Sequence, residues 1–249
     1  MLIAIDAGHG LYTAGKRIPK QLDSNQTREW TLNSNVASML QIMLEKYEVE
    51  TFRTDDKTGE VDIPLEDRVK NANNKKADVL ISIHHNAGAK LSDSGGAVIF
   101  VARNASEESK QLQSFVYDHL IYDMPYLAGN RAEPTPEKSF YIIRYTKMPA
   151  ILIECAFMDS TVDINYIKDE SFAKNVAKSL CDSLVEFYDL KEASRVVENT
   201  DIPSDFAKQA VEWCKENGIS TGERPHDNVT REELMLMLYN FHNKFIDKE

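Results

Sequence analysis

The stretch Met1-Leu2-Ile3-Ala4-Ile5-Asp6-Ala7-Gly8-His9-Gly10 decides the fold. Leu2 to Ile5 is a short, unbroken apolar run with no turn residue inside it. That is the pattern of a strand buried on both faces in the middle of a parallel sheet. Asp6, Gly8, His9 and Gly10 follow at its end. The glycines permit a tight backbone, so the His9 imidazole can be held on a turn just past the strand. Open α/β sheets form their sites outside the carboxyl ends of strands. A single histidine there is more often ordinary than functional.

Two later strands shift that balance. Val79 to Ile83 is a second apolar run and terminates in His84, His85 and Asn86. Ala150 to Ile153 is a third and terminates in Glu154. If the three strands are parallel neighbours, all of these side chains reach one rim of the sheet. Core packing accounts for the apolar runs but not for His, His and Glu at matching ends. Clustered titratable groups in a cleft mark a functional site.

The remaining pattern supplies the layers. Trp30, Asn33, Val36, Ala37, Leu40, Met43, Leu44 and Tyr47 recur at spacings of three and four, which predicts an amphipathic helix. A short strand follows at Val49 to Arg53, a helix at Pro64 to Asn73, and a strand at Ala97 to Val101. Helices are also predicted over Ser106 to Ile121 and along the apolar line from Phe172 to Phe187. Tyr122 to Met148 carries Pro125, Gly129, Pro134 and Pro136 and reads as an irregular, substrate-contacting insertion. Strands alternating with helices give an α/β fold: a mainly parallel central sheet flanked by helices on both faces.

Composition changes near Asp189. Residues 1–190 form the first domain, 191–200 read as a charged linker, and 201–249 as a small all-α module. The formal charge of -11 over 249 residues argues against a nucleic-acid or anionic-membrane binder. Cys155, Cys181 and Cys214 lack short metal spacing and read as reduced thiols. The chain opens directly on its first strand without a basic and apolar leader. It is therefore expected to carry no signal peptide and to be made in the cytoplasm. No run of 18 apolar residues is present, so no spanning helix is expected.

The strand ends suit a metal. A catalytic zinc site takes three protein ligands and leaves a position open for water or substrate. His9 and one of His84 or His85 are the nitrogen donors by strand position. Neighbours in a strand face opposite ways, so both histidines of the pair cannot serve one ion, and the pattern does not choose between them. Glu29, opening the helix after the first loop, is the best third ligand. The same acid is also favoured there by the helix dipole alone. Glu154 is then placed to act as general base and acid.

These motifs carry a resemblance. Asp6-Ala7-Gly8-His9-Gly10, Glu29, Arg68 with Ala72-Asn73, Ser82-Ile83-His84-His85-Asn86 and Pro149 to Phe157 together resemble the zinc-dependent N-acetylmuramoyl-L-alanine amidases, phage endolysins among them. The likeness spans residues 1 to about 190, with the motifs in the family's order. It implies cleavage of peptidoglycan between muramic acid and L-alanine, with Zn2+ held by His9, Glu29 and His84. The choice of His84 follows from the family's Ser-x-His-x-Asn pattern and makes His85 a cleft neighbour. Glu154 takes the place of the catalytic glutamate, Asn86 is expected to contact substrate, and Arg68 has a structural or substrate contact. Cys155-Ala156 and Ser160 depart from residues usual in the family, but none is an implied ligand.

Residues 201–246 resemble one S-layer homology module. Thr230, Arg231 and Glu232 stand at its wall-polymer motif, which implies that Arg231 contacts an anionic secondary wall polymer. A module this small cannot bury its apolar face alone, so it is expected to pack either on the first domain or on copies from other chains, the latter giving a homo-oligomer. A helix-turn-helix reading is disfavoured by the excess of acidic residues. The whole reads as a wall-lysing enzyme acting after release from the cytoplasm, phage lysin and host autolysin being equally compatible. A carboxypeptidase-type zinc peptidase, or a non-catalytic wall-binding protein, are the alternatives.

Overall fold

In the computed structural model, which describes residues 1–130, 133–193, 208–220 and 231–246, the apolar runs become a five-stranded sheet. Its strands are β1 (Leu2–Ala7), β2 (Glu50–Arg53), β3 (Val79–Asn86), β4 (Val98–Phe100) and β5 (Ala150–Phe157), in the order β2-β1-β3-β5-β4. All pairs are parallel except β4 against β5. The three strands whose ends carry the site residues are therefore the three central ones. Their burial on both faces explains why their sequences run apolar without alternation.

Helices cover both faces. α1 (Glu29–Leu44), α3 (Glu107–Asp123) and α6 (Phe172–Phe187) pack on one side, where Ile3, Ile5, Ile81, Ile83, Ile151 and Ile153 meet Leu40, Leu112 and Leu180. α2 (Leu65–Lys75) and the short α4 (Tyr141–Arg144) cover the other, over Ala4, Leu80, Leu152 and Phe100. α5 (Asp163–Ile167) sits between β5 and α6 in the chain. Odd and even positions of each strand thus serve different cores, the period of two expected of a strand.

The segment expected to be wholly irregular holds a 3₁₀ turn at Pro125–Ala128 and α4. Four-residue elements are too short to show periodicity in sequence. β3 and β5 also run on past their apolar stretches, through His84 and Glu154. His84 and Glu154 are thus strand residues rather than loop residues, which fixes their direction by the pleat.

The chain divides into two units, Met1–Ala193 and Ser194–Glu249. The first extends past residue 190: Glu48 N donates to Lys191 O, Tyr47 and Glu192 form an antiparallel bridge, and Ala193 N donates to Lys46 O. The linker expected from 191 therefore has its first three residues paired into this unit; backbone pairing needs no apolar pattern, so composition could not reveal it. In the second unit lie α7 (Lys208–Glu216) and α8 (Arg231–Phe245). Trp213 stacks on Phe245, centroids 5.5 Å apart. Thr230, the first residue of the expected wall-polymer motif, lies outside the described residues. No helix among the described residues is long and apolar enough to cross a membrane. The three cysteines are free, Cys155 and Cys181 buried.

Candidate metal centre

β1 leaves the sheet through a strained turn. Gly8 N donates to Ile83 O, and His9 then adopts a left-handed φ of 67°, a conformation costly for any residue with a Cβ and typical of functional turns. A Cβ on Gly8 would overlap the His84 ring. The glycine is required because the imidazole lies directly against its backbone.

Arg68 of α2 holds this turn in place. It is 1% exposed, and its guanidinium donates to the carbonyls of Ile63, Ala7 and His9 and to the carboxylates of Asp6 and Asp62. Those five bonds use all five donors of an arginine. Of the two readings of Arg68, the substrate contact is corrected: no donor remains to meet a ligand. Asp6 accepts in turn from Thr54 and Ser82. Burial opposes its charge, but Arg68, His84 and these hydroxyls hold its carboxyl below the usual range.

Glu29 enters from the other side. The loop before α1 folds back on itself: Ile18 N donates to Thr27 O, Glu29 N to Lys16 O, and Arg17 bridges Arg28. Glu29 is thereby fixed at the first turn of α1, 1% exposed. Its Oε1 lies 3.1 Å from His84 Nδ1 and 3.2 Å from His9 Nε2. The two rings meet edge to face with centroids 4.9 Å apart, and Lys16 Nζ stands 3.6 Å from Glu29 Oε2. One ligand atom from each of His9, Glu29 and His84 falls within 4.8 Å of the others.

Electrostatics in the bare cluster are tense. Burial would raise Glu29, but the bond to His84 and the close approach of His9 drive it well below the carboxylate range. Burial would lower His84, yet the Glu29 bond and the Glu154 charge raise it. Even so, His9 Nε2 and Glu29 Oε2 are buried with no hydrogen-bond partner. Buried polar atoms are almost always satisfied. An unpartnered imidazole nitrogen and an unpartnered carboxylate oxygen, with a second imidazole beside them, fit a divalent transition metal, which would satisfy them together.

Glu154 completes the rim. It is the register partner of His84 across β3 and β5, so both side chains rise on the α2 face. Burial pushes its carboxyl up to about 7; the Glu29 charge adds to this, while His84 and Lys16 oppose it. Its Oε2 is likewise buried and unpartnered.

His85 points the other way. It is 2% exposed, its Nδ1 lies 2.8 Å from Asn33 Oδ1, and its ring packs on Phe172. The expectation that it neighbours the cleft is corrected, since alternation along β3 sends it into the α1 and α6 core. Burial lowers its pKa to about 4, so the ring is neutral. Asn33 Nδ2 donates to Gly8 O, leaving Oδ1 as acceptor and placing the His85 proton on Nδ1. Asn33 was a missed support residue, and its signal was a polar residue within the apolar line of α1.

Asn86 is half-buried; its Oδ1 accepts from Ala87 N, and it lines a cavity beside β4. Arg231 opens α8, but its side chain lies outside the described residues.

The sequence profile of N-acetylmuramoyl-L-alanine amidases matches residues 3–186. The endolysin of Bacillus phage SPP1 is 30% identical over 196 residues, covering 78% of this chain and 68% of that protein. The N-acetylmuramoyl-L-alanine amidase LytC of Bacillus subtilis is 24% identical over 75% of this chain, which spans only 35% of its length. Among solved structures, an N-acetylmuramoyl-L-alanine amidase of Clostridium difficile 630 superposes with a TM-score of 0.66 at 28% identity, over 76% of this chain and 96% of that one. With its three central strands, its Glu29 helix and the profile match running through all of them, the chain belongs to the N-acetylmuramoyl-L-alanine amidase family.

Proposed function

We propose that the chain hydrolyses the amide between N-acetylmuramic acid and L-alanine in bacterial peptidoglycan, with zinc as its metal. The observation that carries this is the convergence of His9, Glu29 and His84 within 4.8 Å, beside a buried, unpartnered Glu154. His9, Glu29 and His84 would hold the ion. Bound there, zinc supplies Lewis acidity to a carbonyl and acidifies water toward neutrality.

The chain's own residues do the rest. Glu154, whose carboxyl is raised by burial in the metal-free cluster, takes a proton from attacking water and delivers it to the departing L-alanine nitrogen. A carboxylate with an ordinary pKa would be a poorer acid for the second half of that task. Arg68 keeps the β1 turn rigid, so His9 does not relax out of its strained φ. His85 and Asn33 brace the Gly8 carbonyl from the far side of the sheet.

Purified protein is expected to contain one zinc per chain and to clear suspensions of isolated cell walls, with a chelator stopping both. New amino groups on L-alanine, without cleavage of peptide bonds, separate an amidase from a carboxypeptidase-type enzyme. Full lysis by metal-free protein would overturn the proposal.

For Ser194–Glu249 we propose wall targeting and self-association, in an enzyme that reaches the wall after release from the cytoplasm. Support comes from the S-layer-like pattern and from the exposure of Trp213, Leu234, Leu238 and Phe241, since large apolar patches mark interfaces. Because residues 191–193 pair into the first unit, the cut belongs after Ala193. Truncation there should leave hydrolysis of soluble muropeptides intact, reduce the mass seen by light scattering to a monomer, and abolish pelleting with walls. A truncated protein that still pellets, at its full-length oligomeric state, would remove the targeting role.

A further inference from the structure

Glu154 has a neighbour on each side along the sheet. His84 is its register partner on β3 and Val98 on β4. Each of these two neighbours lines a cavity of its own. One, of about 330 Å³, lies against His84 and is walled by Ile63, Pro64 and Leu65. Its charged groups are spent: Arg68 on its five acceptors, Asp6 on Arg68, Thr54 and Ser82, and Asp62 on Thr13 and Arg68. The other, of about 420 Å³, is lined by Val98 and Phe100 with Asn86, Asn130, Glu133 and Lys138.

The second cavity is built by a docked segment. Ile99 N donates to Pro134 O and Lys138 N to Val101 O, while Val101 bridges Glu137 in parallel. The buried Gln113 side chain donates to both Ile99 O and Pro136 O, tying strand and segment together. Glu137 is occupied by Lys110, 3.2 Å away. Glu133 and Lys138 make no ion pair with each other or with any other described residue. Two opposite, unspent charges over an apolar floor match a ligand carrying both an ammonium and a carboxylate.

We infer that this cavity receives the peptide side of the scissile bond, with Lys138 meeting a carboxylate of the stem peptide and Glu133 an ammonium. The inference rests on the amidase reading, in which the bond over Glu154 joins a sugar-linked acyl group to a charged peptide. The neutral acyl side falls to the cavity whose charges are already paired. Glu133 and Lys138 are then specificity-determining residues, selecting stem peptides by the free charges they carry.

The test compares soluble muropeptides that differ only in the free or acetylated amine and the free or amidated carboxylate. Wild-type protein should prefer the free amine and the free carboxylate, each by about tenfold in kcat/KM, the scale of a hydrogen bond to a charged group. Glu133→Gln should lose the preference for the free amine and keep that for the carboxylate; Lys138→Met should do the reverse. Both side chains are exposed, so unchanged melting temperatures are expected. Calorimetry with the free stem peptide, run on the same three zinc-loaded proteins, reads the site without hydrolysis. Hydrolysis with no charge preference, or a preference that survives both substitutions, would overturn the inference and leave the amidase reading standing. Peptide binding that weakens about tenfold in both variants, from a protein that hydrolyses nothing, would keep the site and remove the amidase reading.

Discussion

Glu154→Gln is expected to give a folded, metal-loaded protein that hydrolyses its substrate about 10²–10⁴-fold more slowly, the usual cost of losing a general base. Glutamine keeps the shape and the polarity but cannot take a proton, so the loss falls on kcat rather than on binding. The pH behaviour sharpens the test. Glu154 is raised from 4.5 to about 7 by its burial and by Glu29, so in metal-free protein the folded state holds this proton more tightly than the unfolded chain does. Stability from Glu154 is complete below about 4.5 and is lost as pH rises through about 7. The glutamine variant has no such group. Denaturant midpoints of metal-free wild type should therefore fall relative to the variant across that window. Wild-type turnover in the variant would take Glu154 out of the mechanism, and parallel midpoints would show that its carboxyl is not raised.

The strands that make the site were legible because their ends break the pattern that made them strands. Nothing in packing asks for His84 or Glu154 after a run of isoleucine and valine, so function was the economical reading. Glu29 was legible only as the acid nearest the start of a helix. What puts it there is a backbone ladder between residues 16–18 and 27–29, and polar loops with such pairing carry no periodicity. Arg68 was misleading for a physical reason. Arginines are seldom fully buried, and a sequence shows the charge but not the five acceptors that a turn, two aspartates and a loop bring to it. The charged pair Glu133 and Lys138 lay in an insertion whose docking on β4 rests on main-chain bonds and Gln113, none of which has a sequence pattern.

The sharpest separation of neighbours concerns His84 and His85. His84→Ala should abolish zinc binding, because it removes one of three donors from a cluster with no described substitute. Gly8→Ala should approach the same result without touching a ligand, since the added Cβ claims the space of the His84 ring. His85→Gln should keep its zinc and instead change stability. His85 is lowered from 6.5 to about 4 by burial, so the unfolded chain binds the proton more readily than the folded one. Its contribution is complete above 6.5 and is lost as pH falls toward about 4. At pH 5 that deficit of one and a half pH units amounts to about 2 kcal/mol in wild type, and it should be missing from the variant. Metal content by emission spectroscopy and urea midpoints at pH 7 and 5 read the two effects apart. Zinc lost from His85→Gln but retained in His84→Ala would exchange their roles, and would require the pleat of β3 to present the opposite face at the rim.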